Sequence, residues 1–163
     1  MTRIWTCGRF EFDLSEPLVM GILNVTPDSF SDGGEHAEPL DAIAWARAMV
    51  ESGAAIVDIG GESTRPGSSP VPPAEELARI LPVLSALVAD GDVAVSVDTR
   101  HPEIAAAAVS AGAHIVNDVS GFRAEAMVGV VADSDVGVVV MHMLGEPGTM
   151  QDEPRYDDAV DEI

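Results

Sequence analysis

The sequence predicts an α/β fold built on a parallel sheet, and three observations predict it. Five short apolar runs are continuous rather than alternating, as in strands buried on both faces. Helical patterns lie between them, with apolar residues recurring at three- and four-residue steps. Counted from Val19, Ile56, Val93, Ile115 and Val136, the runs lie 37, 37, 22 and 21 residues apart, each step long enough for a crossover helix. Periodicity alone leaves two architectures open, a doubly wound open sheet and a (β/α)8 barrel. The 163 residues fit a complete five-stranded open sheet better than a barrel, which typically needs roughly 250.

The elements follow in order. Phe10, Phe12 and Leu14 alternate with Glu11 and Asp13, which reads as one arm of a small hairpin ended by Pro17. Leu18–Leu23 is the first buried strand, and the turn-rich stretch Asn24–Gly34 follows it. Pro39–Ser52 reads as a helix through Ala42, Ile43, Ala46, Met49 and Val50, with Gly53 where a C-cap belongs. Ala55–Gly60 is the second strand and Gly61–Gly67 its loop. Pro73–Leu87 is a helix that Pro82 should interrupt and kink. Val93–Val97 is the third strand, Pro102–Ala111 a helix and His114–Val116 the fourth strand. A weaker helix covers about 124–132. Val136–Met141 is the fifth strand, Met143–Pro154 a loop, and Tyr156–Ile163 opens another helix. The sequence stops inside that helical pattern, so the chain reads as C-terminally incomplete.

Composition narrows the function classes. Hydrophobic residues make up 47% and aromatic ones only 4%, so the core must come mainly from Ala, Val, Ile, Leu and Met. Eight Arg and no Lys face 28 Asp and Glu, a net charge of -20. A general nucleic-acid binder needs phosphate-neutralising cations that this chain lacks, and attraction to an anionic membrane surface is disfavoured for the same reason. A small anionic substrate is compatible, because backbone amides, a metal ion or one well-placed Arg can hold it. Cys7 is the single cysteine, which excludes an internal disulfide and a cysteine-based metal site. No basic segment followed by an apolar run opens the chain, and no run is long enough to span a bilayer. A cytoplasmic setting is the expectation.

Polar residues collect at strand ends. Asn24 ends the first strand, Asp58 lies in the second with Glu62–Arg65 after it, Asp98 ends the third, Asn117 and Asp118 the fourth, and His142 the fifth. Ligands of α/β folds bind outside the carboxyl ends of parallel strands. The competing reading is that each Asp or Asn caps the helix after it. Chemically, Asp98 and Asn117 could hydrogen-bond a flat heterocycle, the carboxylate taking two N–H groups and the amide offering donor and acceptor. The Asn24 oxygen could ligate Mg²⁺ or its NH₂ meet a polyphosphate. Ser63, Thr64 and Arg65 are consecutive donors suited to an anion or carboxylate. Met141 is either core or the lining of a flat apolar ligand. The sequence holds no nucleophile with an adjacent base, no HExxH and no GxxxxGK[ST] loop.

Met20-Gly21-Ile22-Leu23-Asn24-Val25-Thr26-Pro27-Asp28-Ser29-Phe30-Ser31-Asp32-Gly33-Gly34 resembles the first signature of the dihydropteroate synthase family, and Asp58 to Gly67 resembles the second. Val95 to Thr99, Asn117 to Gly121, Met141 to Met143 and Gly148 to Gln151 continue the match in order. The resemblance implies a (β/α)8 TIM barrel, of which this chain holds about the first five strands: a hairpin segment over 1–17 and a partial barrel over 18–163. It implies condensation of 6-hydroxymethyl-7,8-dihydropterin diphosphate with 4-aminobenzoate, giving 7,8-dihydropteroate and diphosphate in folate synthesis, assisted by Mg²⁺. By this likeness Asn24, Arg65 and Asp98 are catalytic, and Asn24 meets the metal and diphosphate. Asp98 and Asn117 recognise the pterin and Met141 lines its pocket. Thr64, Arg65 and Pro66 frame the aminobenzoate. Val25, Thr26, Pro27, Asp28, Ser29 and Phe30 form one mobile loop, and Ser63 belongs to the second, near where sulfonamides compete. The family's later strands bring a further Asp, a Lys, an Arg and a His, and its full-length form is a homodimer. Two alternatives are a methyltetrahydrofolate-binding methyltransferase domain and a non-catalytic pterin-binding paralogue.

Overall fold

In the computed structural model, residues 3–26, 38–62, 71–145, 149–151 and 153–163 are described. The chain begins with a hairpin of β1 (Ile4–Cys7) and β2 (Phe10–Asp13), paired antiparallel with Trp5 opposite Phe12. The alternating stretch is thus the second arm, and Ile4–Cys7 supplies the first. The sheet follows: β3 (Met20–Asn24), β4 (Ile56–Gly60), β5 (Ala94–Asp98), β6 (Ile115–Asp118) and β7 (Gly137–Val140). All neighbours pair in parallel, and the spatial order is the chain order.

That order decides between the two architectures. A doubly wound sheet reverses its strand order at a switch point; here each strand is laid beside the last without reversal. The helices α1 (Glu38–Glu51), α2 (Pro73–Asp90), α3 (Pro102–Ser110) and α4 (Glu125–Ala132) each pack on the next. Successive right-handed crossovers of one sense put every helix on one face, which makes the sheet an arc of a (β/α)8 barrel.

The two faces of the arc carry different residues. Leu23, Val57, Ile59, Val95 and Val97 join the helix side chains Ala42, Ala46, Ile80, Leu84, Leu87 and Ile104 in the main core. On the opposite, inner face Ile56, Ala94 and Ile115 pack against Cys7 and Phe12 of the hairpin, so the hairpin plugs the amino-terminal end of the arc. Gly137 permits this docking, because a Cβ there would collide with Cys7 Sγ and Trp5. At the hairpin turn, the Gly8 backbone N–H donates to the Asp135 carbonyl at 2.7 Å.

Three expectations change. The first and fifth strands are not buried on both faces: Ile22 on the inner face of β3 is 66% exposed and Val140 on the outer face of β7 is 62% exposed, because β3 pairs only with β4 and β7 only with β6 at the two edges of the sheet. Helix α2 continues through Pro82 to Asp90 as one element, with Ile80, Val83, Leu84 and Leu87 buried and Pro82 on the exposed face. Burial of that apolar stripe outweighs the one lost backbone bond. The final helix, α5 (Ala159–Glu162), begins later than Tyr156, since Asp158 caps it by accepting from the N–H groups of Val160 and Asp161. No helix among the described residues is long and apolar enough to cross a membrane.

Candidate active site

Side chains on a strand alternate between faces, so sheet register places the strand-end polar groups. Asn24, Gly60, Asp98 and Asn117 are successive partners across β3 to β6, and Val139 of β7 completes the row. This row lies on the same inner face as the Ile56–Ala94 layer, further towards the carboxyl ends of the strands. Four strands thus deliver an amide, a bare backbone, a carboxylate and an amide to one concave rim. Gly60 is the gap in the row: a Cβ built there would lie 3.5 Å from Asn24 Oδ1 and 3.8 Å from Asp98 Oδ2. The cradle between those two side chains exists because this position lacks a side chain.

The layer beneath is polar as well. Asp58 is 3% exposed and accepts a hydrogen bond on Oδ2 from Asn117 Nδ2 at 3.0 Å. Among the described residues, its Oδ1 and the nearby buried Ser96 Oγ make no hydrogen bond of ordinary geometry. Burial pushes the Asp58 carboxyl above the ordinary range. The bond from Asn117 commits one N–H to Asp58, so only the Asn117 oxygen and its second N–H remain for a ligand. Asp98 sits above this pair in a field of like charge. Burial first, then the charges of Asp58, Glu76, Asp118 and Glu62, raise its pKa to about 7. A ligand presenting N–H donors would relieve that repulsion.

The helix-capping alternative does not hold for α2, α3 or α4, whose N-caps are Pro72, His101 and Ala124 with no side-chain cap bond, but one of the strand-end residues is taken up by a turn. Asp118 is fully buried and accepts from Ser120 N–H at 2.7 Å, Ser120 Oγ–H at 2.9 Å and Phe122 N–H at 2.9 Å. It is spent on the turn after β6. Val25 is buried with the helix-side core and its N–H donates to the Gly60 carbonyl at 2.8 Å, which anchors the root of the first loop. Thr26 is half-buried. Met141, half-buried, follows β7 directly, and His142 Nε2 lies 2.9 Å from the Tyr156 hydroxyl. Pro27, Asp28, Ser29, Phe30, Ser63, Thr64, Arg65 and Pro66 lie outside the described residues.

A second polar cluster, which sequence reasoning did not identify, adjoins the rim where β4 and β5 end. Glu62, Glu76 and His101 each bring a ligand atom within 4.8 Å of the others and could hold a metal ion. Arg100 competes for that role: its Nε and Nη2 donate to both oxygens of Glu62 at 3.2 Å. Glu76 is 1% exposed, and its carboxyl is raised chiefly by burial. Gly61 brings the end of β4 against the start of α2, since a Cβ there would lie 2.9 Å from the Glu76 carbonyl oxygen.

A parallel (β/α)-barrel arc with a carboxylate and an amide side by side on its carboxyl-terminal rim is a concave polar site of the kind barrel enzymes place there. Residues 20–163 match the Pterin binding enzyme family, and the chain belongs to it. Similar proteins carry a more specific name. Dihydropteroate synthase of Escherichia coli K12 is 48% identical over 151 residues, covering 93% of this chain and 54% of that relative. The Xanthomonas albilineans dihydropteroate synthase solved with 4-aminobenzoic acid superposes with a TM-score of 0.88 at 48% identity, over 99% of this chain and 57% of that one. The Burkholderia cenocepacia enzyme solved with 7,8-dihydropteroate gives 0.84 at 46% identity, over 99% and 54%. The chain spans about half the length of the relatives it matches.

Proposed function

We propose that this chain carries the pterin-recognising side of a dihydropteroate synthase. The row Asn24–Gly60–Asp98–Asn117 carries the reading. Asp98 accepts the ring N–H and exocyclic amine of a reduced pterin, and Asn117, oriented from below by Asp58, pairs with the ring through its remaining amide groups. Because N–H donors favour the ionised carboxylate, bound pterin stabilises the charged form of Asp98. Gly60 leaves room for the substituent that runs from the ring towards Asn24.

In the reaction the C–O bond between the pterin methylene and the diphosphate breaks, the diphosphate leaving with the electron pair. The amine nitrogen of 4-aminobenzoate attacks the methylene carbon and then releases a proton. No covalent nucleophile is needed, in keeping with the acceptors and amides that the row Asn24–Gly60–Asp98–Asn117 offers; positioning and charge stabilisation supply the catalysis. Asn24 fits a hard cation. Its amide oxygen borders the open cradle over Gly60, and Mg²⁺ commonly takes only one or two protein oxygens and keeps its waters. Bound there, Mg²⁺ supplies charge neutralisation for the departing diphosphate. Thr64, Arg65 and Pro66 frame the aminobenzoate, Ser63 belongs to the same loop, Thr26 to Phe30 close over the site from the buried anchor Val25 rather than with it, and Met141 lines the pterin pocket. These roles, a homodimeric full-length enzyme and a cytoplasmic setting rest on the family likeness.

The test is a turnover assay with pterin diphosphate, 4-aminobenzoate and Mg²⁺, following dihydropteroate and diphosphate release. Product formation that depends on both substrates supports the reading. Pterin binding without condensation, or methyl transfer from a folate instead, would replace it with one of the two alternatives.

A further inference from the structure

The cluster beside the rim takes no part in the pterin row, yet the fold builds it with care. Glu62 lies two residues past the end of β4, Glu76 in the first turn of α2 and His101 at the N-cap of α3. The bare Gly61 lets the strand end close on Glu76, and the His101 N–H donates to Thr99 Oγ1 at 3.2 Å, which fixes the turn after β5. Glu76 has 1% of its side chain exposed. Among the described residues, its Oε2 and the buried Nε2 of His101 make no hydrogen bond. These two atoms stand 3.8 Å apart, and Glu62 Oε2 lies 4.0 Å from the same nitrogen. A cavity of about 10 Å³ borders both carboxylates, room for one atom-sized occupant.

We propose that Glu62, Glu76 and His101 form a site for one divalent cation of the zinc class. The donor set argues for that class: one imidazole nitrogen with carboxylate oxygens suits Zn²⁺, whereas Mg²⁺ prefers oxygen alone. The three ligand atoms lie within 4.8 Å of one another. Tetrahedral zinc at its usual bond lengths sets them about 3.3–3.6 Å apart, so side-chain rotations of about an ångström close the site. Arg100 is the competitor for Glu62, and its hold is loose. Both its contacts are 3.2 Å, longer than the roughly 2.7–2.9 Å of a strong charge-assisted bond. The Val71 N–H holds Glu62 Oε1 at 3.1 Å, which leaves Oε2 turned to His101. The N-termini of α2 and α3 disfavour a cation, but each amounts to about half a unit charge against two ligating carboxylates. The bound ion satisfies the two unpartnered atoms and ties the end of β4 to the starts of α2 and α3. It shares no residue with the Mg²⁺ position at Asn24.

Calorimetric titration of the chelator-treated protein with Zn²⁺, and separately with Mg²⁺, tests it. One Zn²⁺ per chain should bind with a Kd of about 1 μM or tighter, and Mg²⁺ at least about a hundredfold more weakly. Glu76→Gln and His101→Ala should each weaken Zn²⁺ binding at least about tenfold, while Asn24→Ala should leave it within about twofold. Zn²⁺ should also raise the urea midpoint of the parent and of Asn24→Ala, but not of the two ligand variants. Absence of stoichiometric Zn²⁺ binding overturns the site. So does binding that survives both ligand substitutions, or that is lost in Asn24→Ala. Glutamine at position 76 keeps the side-chain shape without its buried charge; should that variant fail to fold, His101→Ala, at a partly exposed turn, decides alone. Neither readout needs turnover, so the site stands or falls separately from the proposed function.

Discussion

Replacing Asp98 with asparagine should stabilise the fold and cripple pterin binding at once. In the folded protein Asp98 has a pKa near 7 against an ordinary 3.8, through burial and the neighbouring charges of Asp58, Glu76, Asp118 and Glu62. A folded-state pKa above the unfolded one means the native chain holds the extra proton between those values, so stability falls as pH rises from about 4 to above 7. A shift of about three units corresponds to a ceiling of about 4 kcal/mol. Solvent at the rim screens part of it, leaving about 1–3 kcal/mol. The asparagine side chain has the same shape and no charge. Urea unfolding at pH 5 and pH 8 reads the effect: the variant should gain about 1–3 kcal/mol over the parent at pH 8 and roughly a third of that at pH 5. Calorimetric titration should show pterin affinity reduced about tenfold or more, since an acceptor for two N–H groups has become half donor. Equal or lower stability of the variant at pH 8 would refute the electrostatic account, and unchanged pterin affinity would refute the assignment of Asp98.

Other substitutions separate the site from its supports. Asn117→Ala leaves the buried Asp58 Oδ2 without its donor; it should cost about 1–3 kcal/mol in denaturant unfolding and weaken pterin binding in calorimetry. Gly61→Ala drives a methyl to 2.9 Å from the Glu76 carbonyl oxygen and 3.1 Å from Ile80 Cγ1, and should lower the urea midpoint by an amount worth about 1–3 kcal/mol. Gly60→Ala meets only ordinary contacts, 3.5 Å or more from its neighbours. It should leave the midpoint nearly unchanged, within about 0.5 kcal/mol, while reducing pterin affinity by filling the cradle. Pterin affinity itself should fall as pH drops below the Asp98 pKa of about 7, measurable as a titration series between pH 5.5 and pH 8, a range of about one to two units around that value.

How much of this was legible in the sequence follows from how local each signal is. Continuous apolar runs and helical periodicity mark the strands and helices, and Asn24, Asp98 and Asn117 stand out because each ends such a run. Their common face follows from the period of two once the register is known. The choice between open sheet and barrel was not local: it depends on strand order, which periodicity does not carry. Asp58 lies inside Ile56-Val57-Asp58-Ile59-Gly60 and reads as one acid in a core strand; only the pairing of β4 with β5 and β6 sets it under Asn117. Glu62, Glu76 and His101 belong to a loop entry, a helix and a turn, and only the close approach at Gly61 joins them. Exposure of Ile22 is likewise a property of sheet position, since the same apolar run in a central strand would be covered.

The central claim is that the row Asn24–Gly60–Asp98–Asn117 holds a pterin. A crystal structure of the protein with 6-hydroxymethyl-7,8-dihydropterin diphosphate tests it most directly. The ring should lie on the inner face with its N–H groups on Asp98, its edge on Asn117 and its diphosphate arm passing over Gly60 towards Asn24. A pterin bound elsewhere, or seated at the rim with Asp98 unused, would contradict it.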